Sequence, residues 1–260
     1  TVIFSSSDSE ATLPEEVQML GGASRGFLIS LGTLGPQYIK VIDAEDSTKS
    51  TQVNIDVVAG PVDHYTFDVI PDNRKAGESF NVTITARDKF NNPTTSNETI
   101  TLNASTGLGT FEPEQVNMNG GVWSGALVIY QAGENISISA VDTKGFSGVS
   151  NNFNVLPQEY SRLLVLLPGQ THIPGRWNSE TKTWPGPGKT GNPTPVTVGF
   201  PVNVIVKAVD MYGNQVKYQP IVNLSSDAFA VFTENDFTLN PDGEKEINVI
   251  LRTATTHTIK

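Results

Sequence analysis

Two stretches of this sequence lie over one another without a gap: AGESFNVTITARDKFNNPTTSNETITLN from Ala76 and VGFPVNVIVKAVDMYGNQVKYQPIVNL from Val198. Phe80 falls on Val202, Val82 on Val204, Ile84 on Val206, Ala86 on Ala208, Asp88 on Asp210, Phe90 on Tyr212, Asn92 on Asn214 and Leu102 on Leu224. A second element recurs as YIKVID ending at Asp43, SISAVD ending at Asp142 and HTIK ending at Lys260, which makes Ile39, Ile138 and Ile259 equivalent. A chain built from copies of one unit must adopt a fold whose units stack, and this narrows the choice more than any local propensity does.

Within each copy apolar and polar residues alternate, as in Phe80-Asn81-Val82-Thr83-Ile84 and Val202-Asn203-Val204-Ile205-Val206. Period two is the pattern of a half-buried strand. Turn clusters such as Pro71-Asp72-Asn73, Asn91-Asn92-Pro93, Asn119-Gly120-Gly121 and Pro241-Asp242-Gly243 separate the strands, because these residues tolerate or preset the turn dihedrals. The single helical candidate, Pro14 to Leu20, is too short to stand alone. Short strands and frequent turns predict an all-β chain of tandem antiparallel β-sandwiches. The register predicts one complete repeat over 60–157, with strands at Val62–Val69, Phe80–Asp88, Glu98–Ala104, Gly121–Gln131, Asn135–Val141 and Val149–Leu156. Residues 1–59 read as the C-terminal half of a repeat, expected to expose an edge where strands are missing. Residues 158–260 read as a repeat with a loop insertion over 171–195 and without its last strand. Half-repeats of this kind fit an excerpt from a longer array or a swapped assembly of neighbouring chains.

Composition removes several functions. With 17 basic against 27 acidic residues, a net charge of -10 and no basic cluster, neither a phosphate backbone nor an anionic membrane is an expected partner. The longest apolar run, Leu163 to Leu167, is far too short to span a bilayer. The absence of cysteine excludes disulfide frameworks, thiolate metal sites and thiol nucleophiles. No GxSxG, HExxH or phosphate-binding glycine loop occurs, and the chain reads as non-enzymatic with no required cofactor.

The AVDxxGN form of the strand-turn unit, the TVIFSSSDSEATLP opening and the LVLLPGQT and GKTGNPT segments resemble the bacterial Ig-like repeats of very large cell-surface proteins, across essentially the whole chain. The resemblance implies disulfide-free Ig-like sandwiches and an extracellular, cell-surface role in spacing, anchoring or lattice formation. Surface-layer proteins, invasin-like adhesins and appendages of secreted enzymes all carry such arrays. The partners it implies are neighbouring copies or adjoining repeats, with cell-surface glycan as a further candidate.

Two sets of residues could carry specific function. Asp88 with Asn92, and Asp210 with Asn214, supply side-chain oxygens at a repeated turn that could bind calcium; Asp142, Asp43 and Asp46 could add to such a site at a junction. The competing reading is that Asp and Asn shape the turn by bonding their own backbone. In the insertion, Trp177 and Trp184 with Arg176 nearby could form a platform for a sugar or another repeat, or could fold back on the core. Trp123, in a predicted strand, reads as core. His64, His172 and His257 fall on different repeats, which argues against a shared histidine metal site.

Overall fold

The computed structural model describes residues 1–23, 26–107, 110–176, 188–227 and 229–260, and all regular structure in them is β. The first segment holds β1 (Val2–Ser6), β2 (Glu16–Val17), β3 (Gly35–Asp43) and β4 (Ser50–Val57). The middle segment holds β5 (His64–Phe67), β6 (Arg74–Lys75), β7 (Ser79–Arg87), β8 (Thr99–Ala104), β9 (Phe111–Glu112), β10 (Gln115–Asn117), β11 (Val122–Ile129), β12 (Gly133–Ile136), β13 (Ile138–Asp142), β14 (Ser147–Val149) and β15 (Phe153–Leu156). The third holds β16 (Arg162–Leu166), β17 (Thr171–His172), β18 (Lys189–Thr190), β19 (Pro201–Val209), β20 (Ile221–Asn223), β21 (Ala230–Phe232), β22 (Asp236–Thr238) and β23 (Glu244–Leu251). Within Pro14–Leu20, Glu16–Val17 pairs with β1 as a strand, so tertiary pairing overrides a weak local helical pattern.

In the middle segment the sheets run β5-β7-β11-β9 and β10-β8-β13-β14, with β12-β15-β6 closing one side. The inner strands of the two sheets, β5-β7-β11 and β8-β13-β14, reproduce the A-B-E and C-F-G groups of an Ig-like sandwich. The alternation read from the sequence sets the core: Phe80, Val82, Ile84 and Ala86 of β7 meet Ile100, Leu102, Ile138 and Ala140 of the facing sheet, all buried. Trp123 lies only partly buried against this core, over Gly125 at the end of β11. The third segment repeats the first sheet as β16-β19-β23-β21, and among the described residues the second is represented by the pair β20-β22. The isolated bridge Ser226↔Ile259 stands where Ala104↔Ile138 stands in the middle segment.

The first segment is one four-stranded sheet, β2-β1-β3-β4, the counterpart of β10-β8-β13-β14. Register places Val2, Phe4, Ile39, Val41, Val53 and Ile55 on one face. The counterparts of Val2, Phe4, Ile39 and Val41 in the middle segment, Ile100, Leu102, Ile138 and Ala140, pack against a second sheet; here no such sheet is present among the described residues. Leu28 is 97% exposed although its counterpart Leu127 is 0% exposed, and an uncovered leucine forgoes about 1.5–3 kcal/mol. Val2, Phe4, Ile39 and Val41 are half-buried, with Phe27 edge-on to Phe4 at 4.7 Å, and Val53, at 60%, is the most exposed of this face. The insertion of the third segment is not loop throughout: β17 and β18 pair at its base, and Lys189 Nζ ties the stem to the carbonyl of Val165 at 2.6 Å.

Candidate functional site at the repeat junctions

The Asp-x-x-x-Asn turn leaves the end of β7 in the middle segment and of β19 in the third. In both, the aspartate folds the turn around itself. Asp88 Oδ1 accepts hydrogen bonds from the amides of Phe90 and Asn92, each at 2.9 Å. Asp210 Oδ1 accepts from the amides of Tyr212 and Asn214, each at 2.8 Å. This is the Asx-type chemistry that makes Asp a turn residue.

The other carboxylate oxygen reaches between segments. Asp88 Oδ2 accepts from the amide of Gly60, in the linker from the first segment, at 3.0 Å. Asp210 Oδ2 accepts from the amide of Gln158, in the linker from the middle segment, at 2.9 Å. The asparagines extend the reach. Asn92 Nδ2 donates to the carbonyl of Gly32 at 2.6 Å, and Asn214 Nδ2 donates to the carbonyl of Tyr130 at 2.8 Å while its Oδ1 accepts from the amide of Ala132. Each turn therefore latches its own repeat to the linker and to the end of the repeat before it. Burial raises the Asp88 carboxyl's pKa, but the hydrogen bonds from Gly60, Asn92 and Phe90 outweigh it and hold the group below the usual carboxylate range.

Between Asp and Asn sits an aromatic ring that plugs the preceding repeat. Tyr212 belongs to the buried cluster of the middle segment, its ring 5.3 Å from that of Tyr130. Gly77 leaves room for it: φ there is 76°, and a Cβ would come within 2.1 Å of the tyrosine oxygen. At the other junction Phe90 lies against Gly32, where a Cβ would come within 2.9 Å of the ring. Gly32 is further fixed by Asp8, whose Oδ2 accepts from its amide at 2.6 Å. Burial raises the Asp8 carboxyl's pKa, yet the bonds from the Thr33 hydroxyl and from the Thr33, Glu10 and Gly32 amides bring it down to about 2.

Sequence reasoning finds Asp88, Asn92, Asp210 and Asn214 but not their partners. Asp142 caps a turn of the same kind and also accepts from the Tyr65 hydroxyl at 3.0 Å; Asp43 and Asp46 cap exposed turns of their own. The four oxygens of Asp88 and Asp210 face N–H donors, a shell suited to an anion's lone pairs, whereas calcium needs six to eight oxygens of its own. Among the described residues no group of three or more His, Asp or Glu converges on one point. Trp177 and Trp184 lie outside the described residues. Arg176 is exposed at the end of the stem, next to Gly175, whose Cβ position lies against the backbone of Gln131 in the middle segment.

An open groove of about 830 Å3 runs along the junction of the middle and third segments, lined by Asn154, Gln158, His172 and Lys217 among others. His172 Nε2 donates to the carbonyl of Gly213, inside the latch turn, at 2.7 Å. Burial lowers the pKa of this imidazole below its ordinary value of 6.5, the Gly213 bond opposing it. A depressed folded-state value means that the unfolded chain binds the proton more readily, so stability is full above about 6.5 and is lost as pH falls toward the folded value. Melting temperature is therefore expected to drop between pH 7.5 and 5.5, and His172→Gln to flatten that slope.

No protein-family model and no curated protein sequence matches the chain. Among solved structures it is similar to the Escherichia coli adhesin FdeC, with 16% identity over 89% of this chain and 70% of that one and a TM-score of 0.39. It is similar to invasin, a bacterial integrin-binding protein, with 15% identity over 99% of this chain and 48% of that one, TM-score 0.34. A third similarity is to domains 1–6 of the surface layer protein SbsC, with 12% identity over 100% of this chain and 28% of that one, TM-score 0.30. At such scores these likenesses carry no weight of their own; the fold assignment stands on strand order and register.

Proposed function

We propose that this chain is a rod segment of an extracellular cell-surface protein, of the kind that builds a surface layer, in which Ig-like repeats are fixed end to end and function resides in their faces and junctions. One observation carries the reading: the same latch, Asp and Asn around an aromatic plug, closes both junctions of the chain. A pair of independently tumbling binding domains has no use for such a joint, whereas a strut or lattice needs its direction held from unit to unit. An adhesive role for the 171–195 insertion is the second reading, favoured by its paired stem lying against Gln131 at the junction. Small-angle scattering tests the first. The wild-type chain is expected to give the distance distribution of a stiff rod, and Asn92→Ala with Asn214→Ala to shorten the mean end-to-end distance without loss of β structure. A wild-type profile already that of a flexible string would overturn it.

A further inference from the structure

The carbonyl one residue before the latch asparagine has a side-chain donor in both turns, and the two donors differ. In the middle segment it is Asn91, which accepts from Arg87 Nη1 of the same repeat at 3.2 Å. In the third it is Gly213, the counterpart of Asn91, which accepts from His172 Nε2 at 2.7 Å. A guanidinium keeps its charge at every pH a folded protein ordinarily meets, whereas an imidazole changes state in the range just below neutrality.

His172 lies outside the turn, in the β17-β18 stem between β16 and β19; the middle segment runs from β5 by way of β6 to β7 and has no such hairpin. The stem continues across the junction. Gly175 donates its amide to the carbonyl of Tyr212, the plug residue, at 2.9 Å. Its φ is 73°, and its Cβ position lies within 2.2 Å of Gln131 Cβ in the middle segment. His172 and Pro174 line the junction groove together with Leu156, Pro157 and Gln158 of the linker. The stem thus lies over the latch turn and is held to it, among the described residues, by two hydrogen bonds, one of them from a titratable ring.

A neutral ring that donates through Nε2 keeps its lone pair on Nδ1, so protonation puts a full charge on a half-buried group. Burial opposes that charge most. The Gly213 carbonyl favours it, Lys207 on β19 opposes it, and Asp210 in the turn and Glu244 on β23 favour it; Lys207 and Glu244 are themselves paired at 2.7 Å. Across the stem Lys189 directs its ammonium to the Val165 carbonyl and to Gln170, and Glu134 and Lys217 in the groove are of opposite sign. With these charges largely offset, the loss of hydration decides, and the ring takes a proton more readily once the stem has lifted into water. We propose that this stem is a strap across the joint between the middle and third segments, closed while His172 is neutral and released when acid protonates it. The inference rests on the reading of the junctions as held joints and adds that one of them is adjustable. Closure is full above about 6.5, the ordinary imidazole value, and is lost as pH falls below it.

Amide hydrogen exchange of the full chain at pH 7.5 and 5.0, corrected for the intrinsic pH dependence of exchange, tests this. The wild-type peptide of residues 172–176, which reports the Gly175 amide, is expected to exchange roughly threefold faster or more at pH 5.0, while β19 and the Asp88–Asn92 turn keep their protection. In His172→Gln, which has an amide donor but no titratable ring, the two pH values should give the same exchange. Equal wild-type exchange at both pH values, or a response that His172→Gln retains, would overturn the strap. A loss of protection that extends to β19 would assign the effect to unfolding and overturn it too. Scattering at pH 7.5 keeps the two readings apart: a rod with an unresponsive stem sinks only the strap, whereas a flexible string removes the held joint and the strap with it.

Discussion

Replacing Asp210 with alanine is expected to destabilise the third segment by about 3 kcal/mol or more, since each buried donor left unsatisfied costs roughly 1–3 kcal/mol. Four donors converge on this carboxylate, the amides of Gln158, Tyr212 and Asn214 and the Asn214 side-chain amide. Asp210 is 0% exposed, so water does not readily replace the lost acceptor. A loss of that size is a large part of the roughly 5–15 kcal/mol that holds a domain together. Scanning calorimetry should show residues 158–260 melting early, split from the joint transition they share with the middle segment in the wild type, or unfolded from the start. Asp88→Ala is expected to cost less: Asp88 is itself buried, but its partners Gly60 and Asn92 are only half-buried where Tyr212 and Asn214 are buried, so water replaces the lost acceptor more readily. The same scans with calcium and with a chelator decide between turn and cation: coincident curves fit the latch, and a calcium-dependent rise that Asp88→Ala abolishes would replace it with a metal site.

Tyr212→Ala is expected to cost about 3–5 kcal/mol, the usual range for deleting a buried aromatic ring, and to uncouple two repeats. The ring is part of the middle segment's core although its backbone belongs to the third. Its removal opens a cavity beside Tyr130 and Gly77 in one repeat and loosens the turn of the other. Wild-type unfolding of residues 60–260 should therefore be coupled, and the variant should melt in two separate steps. Phe90→Ala provides the comparison: its ring is only half-buried against Gly32, and the expected effect is smaller. Equal effects at the two sites would show that the plug is incidental.

Much of the fold is legible in the sequence because strands declare themselves locally. Alternation over Phe80–Ala86 and Val202–Ala208 fixes which side chains face inward, and the gapless match between them fixes register without any structure. Ile39, Ile138 and Ile259, equated from sequence, do oppose the equivalent residues Ser6, Ala104 and Ser226. The junctions are legible only on one side. Asp88 and Asn92 stand out as a repeated turn, but Gly32 lies 60 residues from Asn92, and Tyr130 lies 84 residues from Asn214; bonds to a main-chain carbonyl at that separation leave no residue pattern behind. Asp8 is silent in the sequence for the same reason, since nothing in SSSDSEAT distinguishes a buried carboxylate from a solvated one. The match of Phe90 with Tyr212 was visible as aromatic identity, not as a ring that crosses into the neighbouring core.

One property of the junctions bears on where such a protein can work. Among the described residues every ion pair, from Lys49–Asp46 to His257–Asp227, lies within a single segment. The joints are made instead from hydrogen bonds to buried or half-buried oxygens and from one seated ring at each, Phe90 and Tyr212. Mobile ions screen exposed charge pairs over about 8–10 Å at ordinary ionic strength but reach buried bonds far less. The negative surface, net -10, responds to every change in ionic strength, whereas the bonds that join the repeats are expected to hold alike in low and high salt.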